Sequence, residues 1–167
     1  IDDQIATLDN TIHQLFHFNP HLKIIFTISP VRHLRDGVVE NNRSKARLLE
    51  TVHHLVNKFD RLFYFPAYEL VIDVLRDYRF YDIDLAHPNY AATQFVMEKF
   101  SDYAFTDATK ALIKEVLQIV TAKNHKAFHP QSLQHQQFRK QHYEKALRLQ
   151  EEHPYLDLQD ELSFFLS

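Results

Sequence analysis

Cysteine is absent from the sequence and glycine is nearly so, with Gly37 the single example among 167 residues. A chain without cysteine forms no disulfide bonds and binds no metal through thiolates. Because this lack fits reducing and oxidising compartments alike, composition leaves the localisation of the protein unassigned. One glycine is also far below the average usage of about 7%. Motifs built on several glycines are therefore excluded.

Long apolar runs and an excess of positive charge are also missing. No run approaches the ~20 apolar residues that a membrane-spanning helix requires, so no membrane segment is expected. The 19 lysines and arginines are outnumbered by 22 acidic residues, the formal net charge is -3, and the signs are interspersed. Nucleic acid is therefore not an expected partner, because a phosphate backbone requires a basic stripe. With 45% hydrophobic and 25% charged residues, the composition is that of an ordinary globular domain.

The first half of the chain alternates helical and strand patterns. Apolar residues at helical spacing predict helices over 3–17 and 44–59, the second preceded by a loop that contains Gly37. A short, β-branched and nearly continuously apolar run predicts a strand over 22–28, buried on both faces, and a second strand is predicted over 62–65. Strand, helix, strand is a βαβ crossover, so both strands are expected to be parallel, with their carboxyl ends at one edge. Ligands of open α/β sheets bind beyond that edge.

Two strands alone do not form a stable parallel sheet. The open edges are expected to pair with strands from a further segment of the protein or from a second copy of the chain. A homodimer is therefore one of the expected assemblies.

After Phe105 the pattern becomes helical, without strands, and Thr106 or Asp107 is suited to cap the first helix. The predicted segments are two helices over 108–120 and 132–152 and an amphipathic turn over 158–166, with breaks at His129-Pro130 and His153-Pro154. We therefore divide the chain into an α/β domain, 1–105, and a helical C-terminal extension, 106–167.

One segment, residues 82–89, carries side chains suited to catalysis. Asp84 and His87 are three residues apart, and in a tight turn the carboxylate can reach the imidazole, fix its tautomer and stabilise the imidazolium. Pro88 disfavours the α region at His87 and is suited to the first position of a following helix. Asp82 competes for the orienting role. From spacing alone, a capping histidine and a solvated turn aspartate are favoured, because both are ordinary loop residues.

Further motifs change that balance, because together with Asp84-x-x-His87-Pro88 they resemble the GSCFA proteins, a bacterial branch of the SGNH (GDSL-type) serine esterases. In the family's order they are Thr27-Ile28-Ser29-Pro30-Val31-Arg32-His33, Glu40-Asn41-Asn42-Arg43-Ser44-Lys45-Ala46, Tyr64-Phe65-Pro66-Ala67-Tyr68-Glu69 and Arg76-Asp77-Tyr78-Arg79-Phe80-Tyr81. In that family an Asp-x-x-His-Pro segment supplies two members of a Ser-His-Asp triad. The resemblance thus implies that His87 is the catalytic base and Asp84 the acid that orients it.

The resemblance also implies a fold, a partial SGNH domain with a flavodoxin-like, three-layer α/β/α parallel sheet and a helical extension. The Gly-Ser-Cys-Phe-Ala segment that carries the family's nucleophilic serine is absent from the sequence. We therefore expect the chain to be the C-terminal portion of a longer protein, inactive without its serine. The implied activity is hydrolysis or transfer of an ester on a small acylated substrate, such as an acylated carbohydrate, with no cofactor.

Arg32 follows the first strand and Tyr68 follows the second at the same edge of the sheet, and Tyr78 and Tyr81 lie further along the chain. Arg32 is a candidate for binding an anionic group of the substrate. The tyrosines can line a pocket, although aromatic residues at such positions more often belong to the core.

Ser29 ends a strand, but it is a poor nucleophile for acyl transfer. Pro30 follows it and lacks the N–H that commonly helps to form an oxyanion hole. Ser29 is therefore expected to be structural. Asn41 and Asn42 are candidates for the oxyanion hole, which the sequence does not assign.

Other charged and imidazole side chains favour surface roles. Arg43 and Lys45 are expected to pair with nearby carboxylates such as Glu40. His13 and His17 lie one helical turn apart, but a structural metal site normally needs four ligands, so scattered surface histidine is the better interpretation.

A second function remains open, that of a noncatalytic interaction module. Its helical second half would dock on a partner, and its small sheet would dimerise through the open edge.

Overall fold

The computed structural model describes residues 1–129 and 131–166, which form two compact units, one over Ile1–Ala104 and one that begins at Phe105. In chain order, the elements are α1 (Asp2–Phe18), β1 (Ile24–Phe26), α2 (Gly37–Lys58), β2 (Leu62–Tyr64), α3 (Ala67–Glu69), a π-helical turn (Leu70–Leu75), a 3₁₀ turn (Tyr78–Phe80), α4 (Tyr90–Ala104), α5 (Asp107–Asn124), α6 (Leu133–Glu152) and α7 (Gln159–Leu166). The chain is mostly helical with a small parallel sheet, which confirms the predicted α/β class.

The sheet of the first unit contains two strands within the described residues. β1 and β2 are parallel, with Ile24 opposite Leu62 and Phe26 opposite Tyr64, as the βαβ pattern predicts. β1 is shorter than predicted, and its predicted burial on both faces is wrong. Ile24 and Phe26 face the core, whereas Ile25, on the opposite face, is 42% exposed. Ile25 is apolar although it is exposed, because its face of the strand lines an open groove and does not contact a packed layer.

The core of the first unit lies between α1, α2 and the strands. Ile12 and Phe16 of α1 are one helical turn apart and pack with Leu55 of α2 and Leu62 of β2, all buried. Full burial of such a side chain stabilises the fold by about 1.5–3 kcal/mol. This cluster holds α2 against the sheet and thereby fixes the strand ends.

α2 begins at Gly37, well before the predicted start at residue 44. Its first turn exposes Val38 and Val39, so the amphipathic pattern used for the prediction is missing there. Gly37 itself has a φ of 80°, in the left-handed region that glycine adopts without steric cost. Asn41 is buried and accepts a hydrogen bond from the amide of His33, which ties this early part of the helix to the preceding loop.

The connection from β2 to α4 contains helical turns that the sequence analysis did not predict. The π-helical turn Leu70–Leu75 ends at Arg76, which has a φ of 42°. α4 begins at Tyr90, so the prediction that Pro88 opens this helix is wrong. Asn89 caps the helix instead, because its side-chain oxygen accepts from the amide of Ala92 at 3.2 Å.

The second unit consists of α5, α6 and α7 around one apolar cluster. Its buried members are Ile119, Ala122, Ala146, Leu149, Leu158, Leu162 and Phe165. Thr106 and Ser132 cap α5 and α6 through their side-chain oxygens, as expected for Thr106. The predicted final turn is the helix α7. At the predicted break His129-Pro130, Pro130 lies outside the described residues. Over the described ranges, no helix has both the length and the apolar character of a membrane span.

Candidate active site

Residues 82–87 form a tight loop closed at its base. The amide of Asp82 donates to the carbonyl of His87 at 2.8 Å, and the amide of Leu85 donates to the carbonyl of Asp82 at 2.9 Å. Tyr81 and Pro88 pair as an antiparallel bridge on either side of the loop. His87 is therefore held on a closed loop with a paired stem.

Asp84 and His87 are in direct contact within this loop. One carboxylate oxygen of Asp84 accepts from the amides of Ala86 and His87, at 2.9 and 3.0 Å. The other lies 2.5 Å from Nδ1 of His87. An ionised carboxylate is only an acceptor, so Nδ1 carries the proton and Nε2 is free to accept one. The structure thus brings together the two residues that the sequence analysis selected.

The hydrogen bonds also keep Asp84 ionised. The amide of His87, then the amide of Ala86 and then the imidazole of His87 lower the pKa of Asp84 to about 2 from 3.8. Both side chains remain accessible, with 60% of His87 and 49% of Asp84 exposed. The pair therefore consists of the charged carboxylate of Asp84 and the accessible imidazole of His87, which an approaching hydroxyl can reach.

His87 borders an apolar groove of about 650 Å³ in the first unit. Thr27 and Pro30 follow the carboxyl end of β1, Phe65 and Ala67 follow that of β2, and all four line the groove with His87. The remaining lining comes from β1, the following loops and α4, namely Ile25, Val31, Val71, Pro88, Ala92, Thr93, Val96, Met97 and Phe100. The imidazole therefore lies at the sheet edge where parallel strands of α/β proteins bind ligands.

Arg32 contacts the same loop from the other side. Its amide donates to the carbonyl of Ala86 at 3.1 Å, and its Nη1 donates to the carbonyl of Leu85 at 3.0 Å. The guanidinium carbon lies 4.3 Å from the ring centroid of Tyr81, a cation–π contact. The backbone amide and Nη1 of Arg32 are thus both bonded to the backbone of the loop.

The three tyrosines near Arg32 differ in burial. Tyr81 is buried, Tyr68 is half-buried and Tyr78 is 64% exposed. Burial raises the pKa of Tyr68 and of Tyr81, because an apolar environment disfavours the phenolate. Within the described part of the chain, the hydroxyl of Tyr81 has no hydrogen-bond partner. Tyr81 therefore belongs to the core, whereas Tyr68 lines a smaller pocket of about 240 Å³ with Arg32 and Asn42.

Two buried polar residues of α2 hold the segment 29–33 that carries Arg32. Lys45 donates from Nζ to the carbonyl of Ser29 at 2.7 Å, and Asn41 accepts from the amide of His33 at 2.9 Å. Burial lowers the pKa of Lys45. The prediction of a surface ion pair is therefore wrong for Lys45, which is 5% exposed. It is confirmed for Arg43, whose Nη1 lies 2.8 Å from Glu40.

Sequence reasoning missed the joint role of Asn41 and Lys45. They are four residues apart and share one helix face, a signal that is visible only when α2 is predicted to start before Asn41. Ser29 accepts from the amide of Val31 through its own hydroxyl at 3.2 Å, so it closes a turn. Among the described residues, no group of three or more histidine, cysteine, aspartate or glutamate side chains is arranged to hold a metal.

Family comparisons match both parts of the chain. The model of the GSCFA family matches residues 1–100. The chain belongs to the GSCFA family. A second family model, described as the GSCFA domain protein, C-terminal domain, matches residues 116–167. Comparison with curated proteins and with solved structures gives no match. His87, Asp84 and Arg32 all lie within the first match, and the GSCFA C-terminal match falls on the helical second unit.

Proposed function

We propose that this GSCFA chain supplies the histidine and aspartate of an SGNH-type ester hydrolase or acyltransferase. The observation that carries the proposal is the 2.5 Å contact between Nδ1 of His87 and the carboxylate of Asp84 beside an open groove. This is the arrangement in which an imidazole acts as general base and an acid stabilises the imidazolium. A serine from a segment preceding Ile1 is the nucleophile.

The reaction proceeds through an acyl-enzyme. The serine hydroxyl attacks the ester carbonyl while Nε2 of His87 takes its proton, and the imidazolium then protonates the departing alkoxide. Water, or an acceptor alcohol in a transferase, next gives its proton to Nε2 and attacks the acyl group. His87 finally returns the proton to the serine. Asp84 accepts the Nδ1–H bond throughout and stays ionised.

The same proposal covers the fold and the substrate. The parallel pair β1 and β2 is consistent with the C-terminal part of a flavodoxin-like, three-layer α/β/α sheet, and the apolar groove suits the segment that carries the serine. That segment would cover Ile25 and Met97 and bring its hydroxyl to His87. A small acylated molecule such as an acylated carbohydrate is the proposed substrate, by analogy with the fold.

Ester hydrolysis by the full-length gene product tests this function. We expect His87→Ala to lower kcat on p-nitrophenyl acetate by at least about 10³-fold and Asp84→Asn by about 10²- to 10⁴-fold. Asp82→Asn, in the same loop, is the matched control and should keep the wild-type rate. Equal rates for wild type and His87→Ala would contradict the proposal and favour the noncatalytic interaction module.

A further inference from the structure

We propose that Arg32 is a positioning residue that holds the Asp84–His87 loop in its working geometry, which replaces the substrate-binding role suggested by the sequence. This inference rests on the proposed function. Arg32 follows β1, whereas the loop lies more than fifty residues further along the chain. Arg32 is therefore the long-range connection between the end of the strand and the general base.

The contacts of Arg32 fall on the two residues between Asp84 and His87. Its guanidinium binds the carbonyl of Leu85, and its amide binds the carbonyl of Ala86. Leu85 has a φ of 54°, in the left-handed region that a leucine adopts only when its surroundings enforce it. A donor fixed at the Leu85 carbonyl stabilises that conformation. The adjacent amides of Ala86 and His87 then point at the carboxylate of Asp84.

Arg32 is itself held rigidly enough for this role. Its guanidinium lies over the ring of buried Tyr81, 4.3 Å from the centroid. Its backbone segment is fixed at both ends, by Lys45 at the Ser29 carbonyl and by Asn41 at the His33 amide. Lys45 and Asn41 are both buried in α2, so they anchor the segment that carries Arg32, and through it the loop, to the first unit.

The first test uses the titration of Asp84 in the 167-residue chain and requires no esterase activity. Arg32→Met keeps much of the side-chain length but removes every guanidinium donor. We expect ¹³C NMR to show the pKa of Asp84 rising from about 2 toward 3.8 in this variant, because the amides of Ala86 and His87 lose their alignment. Arg43→Met removes an exposed guanidinium and should leave the titration unchanged. An unchanged titration in Arg32→Met would overturn the proposal.

The second test measures turnover of a neutral ester, p-nitrophenyl acetate, by the full-length gene product. Displacement of a catalytic group by about 1 Å costs up to about 100-fold, so we expect kcat of Arg32→Met to fall about 10- to 100-fold with KM unchanged. Arg32→Lys retains one donor for the Leu85 carbonyl and should recover part of kcat. Circular dichroism melting curves verify that each variant is folded.

The outcomes separate this inference from the proposed function. A rise in KM confined to an anionic ester, with kcat unchanged, would identify Arg32 as a substrate-binding residue and overturn the positioning role. Wild-type activity in His87→Ala would contradict the proposed function. In that case the titration of Asp84 alone decides whether Arg32 holds the loop.

Discussion

The Asp84–His87 pair shows how much of the proposed catalytic arrangement is encoded within four residues. The side-chain contact needs a tight turn, and Asp84 contributes to that turn by accepting the amides of Ala86 and His87. The same bonds lower its pKa to about 2, so the carboxylate is ionised at every pH above the low acid range. The spacing makes this local contact possible, but the choice of Asp84 and His87 as candidates depended on the resemblance of the neighbouring motifs to a known family.

A half-buried histidine of the second unit, His142, should make stability depend on pH. His142 packs against Phe138, and its Nδ1 has no hydrogen-bond partner among the described residues. Burial, and to a lesser extent the charge of Lys145, lowers the pKa of His142 from 6.5. The unfolded chain therefore binds more protons than the folded chain at mildly acidic pH. We expect the contribution of His142 to stability to be complete above pH 6.5 and to be lost as the pH is lowered through that value.

Urea unfolding followed by circular dichroism at pH 8 and pH 5 measures this effect. The isosteric change His142→Gln removes the titrating group, so the variant should lose less stability than wild type between the two pH values. An identical loss in both proteins would show that His142 does not contribute to the pH dependence.

At the scale of elements, the prediction succeeded where the pattern is local and periodic. α1 and α5 follow from apolar residues at helical spacing, and the parallel pairing of β1 and β2 follows from the helix between them. The start of α2 was missed because Val38 and Val39 are exposed there and break the amphipathic pattern.

The contacts that hold the site were not predictable from the sequence. Arg32 reaches Leu85 and Lys45 reaches Ser29 across long stretches of chain, and no local spacing specifies either bond. The π-helical turn at Leu70–Leu75 was missed for a different reason, since its apolar residues also suit a loop that packs on the core. Tertiary packing, not local propensity, fixes these features.

The entry to α4 gives a prediction at this scale. Asn89 caps the helix at the amide of Ala92, and its Nδ2 donates to the carbonyl of Arg79 at 2.7 Å. Loss of an asparagine cap costs about 1 kcal/mol and each additional net hydrogen bond about 0.5–1.5 kcal/mol, so we expect Asn89→Ala to destabilise the chain by about 1.5–2.5 kcal/mol. Urea unfolding measures the change. Asn57→Ala, at an exposed position of α2, is the control and should stay within about 0.5 kcal/mol of wild type.

For the whole molecule, the groove beside His87 is the surface that the proposed serine-bearing segment would cover. It exposes Ile25 and Met97, 42% and 50% accessible, on the face of the sheet opposite the core. Apolar surface of this kind binds the dye 8-anilinonaphthalene-1-sulfonate, whose fluorescence then rises. We expect the 167-residue chain to enhance the fluorescence more than the full-length gene product does.

The site of dye binding is tested by two matched substitutions. Met97→Lys places a charge in the groove and should reduce the enhancement, whereas Leu133→Lys, at an exposed position of α6, should not. Equal enhancement by the 167-residue chain and the full-length gene product would show that no segment covers the groove.

The left-handed leucine in the His87 loop has a consequence for protein engineering. Glycine at position 85 would relieve about 1–2 kcal/mol of backbone strain, and its greater freedom in the unfolded chain would offset about 0.5–1 kcal/mol of that gain. Directed evolution for thermal tolerance would therefore accept Leu85→Gly. Under the proposed function, selection for turnover would reject it, because glycine also allows residue 85 to leave the left-handed region and so loosens the contact between His87 and Asp84. At position 85, thermal stability and turnover therefore favour different residues.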